Sequence, residues 1–425
     1  MARAQLGFGR AQAPHQTARR GGRVLGVATV PPRPHLLARS RTAEWADRVI
    51  EGIWDKGLHP QPPLEPDALW EIGAKGFSEE DERFGRSEED VADFRLRLEK
   101  LCEALREEAE LNSLGHTMAY GQITSAIRVR HDLGRLWQRK PGIERTPIAP
   151  PIIVVGQMRA GTTRMHRLLA ADPAHAGTCL YHGMNPVRPF PDIRPIKTRL
   201  GLAIARQINP WIDTLHPFGA LRVDEELPWL SHALSPVALE AQYRIPSYVA
   251  FSEARDATPI YREFERMLRT DAAMMRNTAL PRVLKCPQYA EDLAPLLARF
   301  PDARVVVTRR NSVEVLASTV SVVSCQMAYQ TESADLSVIE AEWTRKLALR
   351  EERMTAALAP VAGPVAEVDF DALSADWESE IARVYALLEL DFTAAAHAAM
   401  CAEQRRAAKG RHTAHQADYS ELTAK

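Results

Sequence analysis

PIIVVGQMRAGTTRMHRLLAADP, residues 151–173, runs from a β-branched apolar segment (152–155) through a polar turn bounded by Gly156 and Gly161-Thr162-Thr163 into a helical pattern. That order reads as strand, anion loop, helix. Backbone N–H groups at a helix start carry about half a unit of positive charge, and glycine lets an oxyanion approach the chain closely. Arg159 adds a full charge, and Thr162 and Thr163 add hydroxyl donors. A phosphate or sulfate suits such a loop; a bare strand-to-helix turn fits the same residues, so a second site is needed to decide.

Composition bounds the rest. A chain of 425 residues that is 45% hydrophobic buries a sizeable core as one large domain, alone or with a helical extension. A net charge of −1 lacks the basic surplus of a nucleic-acid-binding protein, so no nucleic-acid partner is expected. The cysteines, Cys102, Cys179, Cys286, Cys325 and Cys401, are scattered without a CxxC pair or a His-rich tract, which points to a reducing, cytoplasmic setting and to no metal site. No apolar run reaches the ~18 residues of a transmembrane helix.

Along the chain, residues 1–42 carry arginines and no acids and read as a disordered or mis-annotated tail. Residues 43–142 read as a helical extension, with Phe94, Leu98, Leu101 and Leu105 three or four apart between charges. ERTPIAPP then leads into residues 143–425, where RVLKC (282–286), ARVVVTRR (303–310) and PVAEVDF (364–370) alternate with helical patterns. The expected fold is α/β: a P-loop-like parallel sheet flanked by helices, with a helical N-terminal extension.

The second site is VVVTRRNSVEVLASTVSVV. Arg310 stands at a strand end and Ser318 on the helix that follows. An arginine and a hydroxyl in those places grip one phosphate from two directions, and the arginine can do so bidentately. The ATP or GTP loop needs Gly-Lys-Ser/Thr and the dinucleotide turn needs G-x-G-x-x-G; this chain has neither.

Together these segments resemble the 3′-phosphoadenylyl-sulfate-dependent sulfotransferases, in particular the large bacterial group with a Pro-Arg-Ser/Thr-Gly-Thr-Thr loop. The likeness runs in order through EEAELNSLGH, GQMRAGTT, MNPV, DEELPWL, RVLKCPQYAEDLAPLLARFPDARVVVTRR, VDFDAL and KGRH. It implies transfer of a sulfuryl group from 3′-phosphoadenylyl sulfate to a hydroxyl or amine of a small-molecule or glycan acceptor, leaving adenosine 3′,5′-bisphosphate, without a metal. Carried onto this chain, Arg159, Ala160, Gly161, Thr162 and Thr163 would hold the 5′-phosphosulfate, and Arg310 and Ser318 the 3′-phosphate. Lys409, Gly410 and Arg411 match a basic loop that closes over the nucleotide. Lys285 matches a lysine near the bridging oxygen.

Met158 replaces the usual proline and Ala160 the usual Ser/Thr, and the chain stops at DYSELTAK where the family continues. The lost hydroxyl would cost roughly 1.5–3 kcal/mol of phosphate binding, and a shortened end would leave the nucleotide lid mobile. These departures keep a degenerate, non-catalytic nucleotide binder open as an alternative, with a P-loop kinase behind it. For the general base, Pro287 stands where the cytosolic branch of the family has histidine. His182, just before the MNP segment, ranks first, followed by Glu225 and its neighbour Glu226. The bland reading of that acid pair is the first turn of a helix capped by Asp224. Phe218, Trp229, Tyr243 and Tyr248 fit either an acceptor pocket or the core. Acceptor identity and oligomeric state are not legible in the sequence.

Overall fold

The structure, a computed structural model, describes residues 33–409. Its centre is a parallel sheet of four strands, β1 (Ile152–Gly156), β2 (Val283–Lys285), β3 (Arg304–Arg309) and β4 (Val365–Asp369), in the order β2-β1-β3-β4. β1 is buried throughout because helices cover both faces of the sheet. Alternate side chains go to different cores. Ile153 and Val155 pack with Leu284, Val305, Val307 and Phe264, whereas Ile152 and Val154 pack with Met165, Val283, Val306 and Val368. The strands expected at 282–286, 303–310 and 364–370 are present, in register with β1 and β3.

From β1 the chain crosses to β2 on one side, then returns past β1 to β3 on the other. That reversal opens a crevice at the carboxyl ends of β1 and β3, where ligands of open α/β sheets bind.

The N-terminal helices do not stand apart from this sheet. Phe94, Leu98, Leu101 and Leu105 of helix Glu88–Glu107 and Ile123 and Ile127 of helix Ser113–Arg139 share one core with Leu234, Leu239, Tyr243 and Tyr248. Ser87 and Asp90 form a capping box at the start of the first of these helices. The Trp137 indole N–H donates to Thr270 Oγ1 at 2.9 Å. Residues 33–42, placed above in a tail, are packed: Leu36 and Ala38 are buried, and Arg33 donates to Ser321 Oγ at 2.8 Å. The remainder of that tail lies outside the described residues.

A buried ionic cluster joins helix Leu336–Leu358 to Glu240 of the β1–β2 crossover and Glu291 of the β2–β3 crossover. Lys346 lies 2.7 Å from Glu291 and 3.0 Å from Glu240, and Arg350 reaches Glu240 at 2.5 Å and Glu291 at 3.3 Å. Burial raises the cost of each charge and its partners offset it, so removing a single partner would cost about 3–5 kcal/mol.

Two glycines of helix Ser113–Arg139 test how tightly that helix is seated. A Cβ on Gly134 would lie 1.8 Å from the Asp81 carbonyl oxygen, whereas one on Gly121 meets nothing within 4 Å. Urea unfolding should show Gly121→Ala stabilised by up to about 1 kcal/mol and Gly134→Ala destabilised by roughly 1–3 kcal/mol. Equal effects would contradict this packing.

Candidate functional site

The loop after β1 turns through left-handed backbone at Arg159 (φ 73°) and Gly161 (φ 86°). At Gly161 no side chain fits, since a Cβ would stand 2.5 Å from the Phe370 ring. Helix Thr162–Leu169 starts there, with Arg164 and Met165 N–H donating to Gly161 O at 3.0 and 3.2 Å. The N–H groups of Gly161, Thr162 and Thr163 therefore precede the helical ladder.

Arg159 is a non-glycine residue in the left-handed region, and its side chain is fixed at both ends of the guanidinium. Nε donates to Ser318 Oγ at 2.9 Å and Nη1 to Leu215 O at 2.8 Å. Arg310 Nη1 in turn donates to Arg159 O at 3.1 Å, its Nε meets Glu314 Oε2 at 2.9 Å, and its guanidinium lies 4.4 Å from the Phe370 ring centre. The ends of β1, β3 and β4 thus meet at Arg159, Arg310 and Phe370. Arg159 and Ser318, far apart in sequence, are in direct contact.

A cavity of about 240 Å³ opens beside this loop. Arg159, Thr162, Lys285, Glu225 and His216 bring polar groups to it, and Leu180, Met184, Leu227, Val237, Val322 and Trp343 supply apolar wall. Ala160 and Arg310 line a neighbouring cavity of about 500 Å³ with Gln157 and Leu316.

The DEE segment is pinned residue by residue. Glu226 N donates to Lys285 O at 3.3 Å, and Lys285 N donates back to Glu226 Oε2 at 2.8 Å, which ties the segment to the end of β2. That reciprocal pair sets Glu225 against Lys285, whose Nζ donates to Glu225 Oε2 at 2.5 Å. Asp224 Oδ1 lies 2.9 Å from His216 Nε2. Arg167 fastens the same loop through Pro217 O at 3.0 Å and Val223 O at 3.3 Å. Burial pushes the Asp224 carboxyl up, but His216 and Arg167 outweigh it and hold it at about 2. Asp224 does not cap the next helix; that helix begins at Leu227 with Glu226 at its N-cap and no side-chain cap bond.

His182 is not brought to the cavity. Its side chain is buried behind helix Leu180–Met184, with Nδ1 3.4 Å from Asp271 Oδ1 and its ring edge-on to Tyr181. Burial lowers its pKa, and Asp271 only partly counters this. The physical reason is local: on this short helix Leu180 and Met184 take the face toward the cavity. Phe218 lines the cavity, whereas Trp229 and Tyr248 are fully buried, with Trp229 Nε1 donating to His182 O and Tyr248 OH to Leu234 O. His216, Trp343 and Arg350 are among the lining residues that sequence reasoning missed; none sits in a motif, and only the fold brings them in. Lys409 ends helix Ala394–Lys409, and Gly410 and Arg411 lie outside the described residues.

Glu226 is wholly buried, and its pKa is raised to about 7 by burial, against the pull of the Lys285 backbone N–H. A carboxyl raised from 4.5 holds more protons folded than unfolded between those values, so stability falls as pH rises from 4.5 to 7. Glu226→Gln keeps an acceptor oxygen and removes the titration. It should match the wild type near pH 4.5 and exceed it at pH 8 by roughly 3 kcal/mol in chemical denaturation. An unchanged pH slope would refute this assignment.

A sulfotransferase family model matches residues 150–394. The omega-hydroxy-beta-dihydromenaquinone-9 sulfotransferase Stf3 of Mycobacterium tuberculosis (strain CDC 1551 / Oshkosh) is 27% identical over 203 residues, covering 44% of this chain and 49% of that protein, and its Mycobacterium bovis counterpart gives the same values. The chain thus spans about half the length of the curated relatives it matches. Among solved structures, sulfotransferase STF1 from Mycobacterium tuberculosis H37Rv superposes with a TM-score of 0.69 at 28% identity, over 79% of this chain and 92% of that one. Sulfotransferase STF9 from Mycobacterium avium superposes at 0.72 with 18% identity, over 81% and 88%, a likeness of fold. The family model extends from β1 past the last strand of the sheet, and on that match the chain belongs to the sulfotransferase family.

Proposed function

We propose that the chain transfers a sulfuryl group from 3′-phosphoadenylyl sulfate to the hydroxyl of a largely apolar small-molecule acceptor. The observation that carries this reading is one cavity shared by Arg159, Thr162, Lys285 and Glu225 at its polar end, with apolar walls beyond. The loop fits an anionic donor: at Gly161 the backbone lies bare where a Cβ would strike Phe370, and cations flank it. Bound there, the donor supplies an activated sulfuryl group. Arg159, Gly161, Thr162 and Thr163 would hold its 5′ end, Arg310 and Ser318 its 3′-phosphate, and Ala160 would contribute backbone alone.

Sulfuryl transfer, like phosphoryl transfer, passes between two oxygens through a loose transition state, so positioning and charge stabilisation carry most of the rate. Lys285, 2.5 Å from Glu225, supplies positive charge where the leaving oxygen gains negative charge. Glu225 takes the proton of the acceptor hydroxyl, and the ion pair keeps its carboxylate oriented for this. The bond between His216 and Asp224 makes His216 the rival base on the same wall.

The apolar wall favours a hydrophobic alcohol or phenol over a glycan, whose recognition needs many polar donors. The lipid-quinone acceptor in the name of the Stf3 relatives agrees with that chemistry. Five free cysteines support a reducing, cytoplasmic setting, and among the described residues no helix is long and apolar enough to cross a membrane.

Calorimetric titration with adenosine 3′,5′-bisphosphate, beside ADP and ATP, tests the reading. Selective binding of the bisphosphate is expected, weakened roughly 10- to 100-fold in Arg159→Ala and in Arg310→Ala. If none of the three nucleotides binds, the chain is a degenerate relative; preference for ATP with magnesium returns the kinase reading.

With an acceptor in hand, Glu225→Gln should lower kcat by roughly 10²–10⁴-fold. His182→Ala should cost stability and leave turnover per folded molecule unchanged. A larger loss in His216→Asn than in Glu225→Gln would move the base to His216.

A further inference from the structure

Helix Arg194–Ile208 turns its large apolar side chains to solvent. Ile196, Leu200 and Ile204 recur every four residues and are 66%, 63% and 54% exposed, while Arg194 and Thr198 are buried. At about 100° per residue the three fall on one face, opposite the buried pair. Lys197 and Arg199, both exposed, fall on the two edges of that face. Just before the helix, Phe190 is fully exposed. In residues 186–209 the single acid is Asp192, and Arg194 already holds it with two bonds of 2.9 Å.

An apolar centre with cationic rims and no uncompensated acid is complementary to anionic headgroups over acyl chains. Water is a poor partner for so much contiguous apolar surface. A second copy of the chain fits less well, because a two-fold contact through this face would bring Lys197 and Arg199 against like charges.

We propose that this face lies on a membrane surface bearing anionic lipid. Helix Leu180–Met184 packs against helix Arg194–Ile208, and its last residue, Met184, is 48% exposed and also lines the acceptor cavity. Docking by this face therefore sets the mouth of the cavity at the bilayer boundary, where an apolar alcohol resides. The value of that placement rests on the sulfotransferase reading above; the lipid contact itself does not.

The test is vesicle flotation of the full chain with phosphatidylcholine alone and with phosphatidylcholine–phosphatidylglycerol mixtures, at low and at high salt. The wild type is expected to float with the anionic vesicles and to release as salt rises. Ile196→Gln/Leu200→Gln/Ile204→Gln should lose flotation, and Lys197→Gln/Arg199→Gln should bind anionic vesicles roughly 30-fold more weakly. Both variants should keep the wild-type circular-dichroism spectrum and cooperative thermal transition, which shows that they are folded whether or not nucleotide binds.

Flotation of the triple variant equal to that of the wild type, or no wild-type flotation, overturns the proposal. So does a concentration-dependent dimer that the triple variant abolishes without any vesicle binding, which would give the face to a second copy. Variant-sensitive vesicle binding without nucleotide binding would support the surface and remove the sulfotransferase reading instead.

Discussion

The burial of β1 on both faces is the constraint on which the site depends. A strand enclosed by β2, β3 and helices above and below can be left only at its carboxyl end, so the chain after Gly156 must turn at once. The turn uses left-handed backbone at Arg159 and Gly161, and the departure from ordinary geometry at Arg159 is held by its bonds to Ser318 and Leu215. A surface arginine would lose those partners to water. Here the arginine locks the loop after β1 to the helix that follows β3.

From that lock the rest of the cavity follows in order. β2 pairs beside β1 with Lys285 opposite Val154, which sets the lysine one strand away from the loop. The reciprocal bonds between Lys285 and Glu226 then place Glu225, and Arg167 of the loop's own helix secures the segment that carries His216 and Asp224. Adjacent acids thus have separate tasks: Asp224 orients His216, Glu225 faces the lysine, and Glu226 is a strand-end tie whose carboxyl is buried. The ionic cluster of Lys346, Arg350, Glu240 and Glu291 closes the far side of the same cavity, since Arg350 and Trp343 line it.

The strand-loop-helix at residues 152–169 and the strand that ends at Arg309 were legible because their pattern is written locally. A strand run, a glycine turn and a strand-end arginine each depend on near neighbours in sequence. The direct Arg159–Ser318 contact was not legible there, because it joins loops that follow different strands and meet only at the shared edge of the sheet. His182 was misplaced because a five-residue helix turns one face to the cavity and the opposite face to Asp271, and sequence does not say which. His216 was missed for the converse reason: it lies in a loop without periodicity, and its position depends on Asp224 and Arg167.

What the amino-acid order determined by itself is the parallel α/β sheet, the glycine-bounded turn between its first strand and the next helix, and the absence of a Gly-Lys-Ser/Thr loop, all set by short-range pattern and residue chemistry. Tertiary structure alone decided which carboxylate meets Lys285, that His182 faces Asp271, that the N-terminal helices share a core with residues 234–248, and that Ile196, Leu200 and Ile204 face solvent. Those outcomes depend on contacts between segments distant along the chain. An apolar stripe at helical spacing reads identically whether it meets a core or is left outside one.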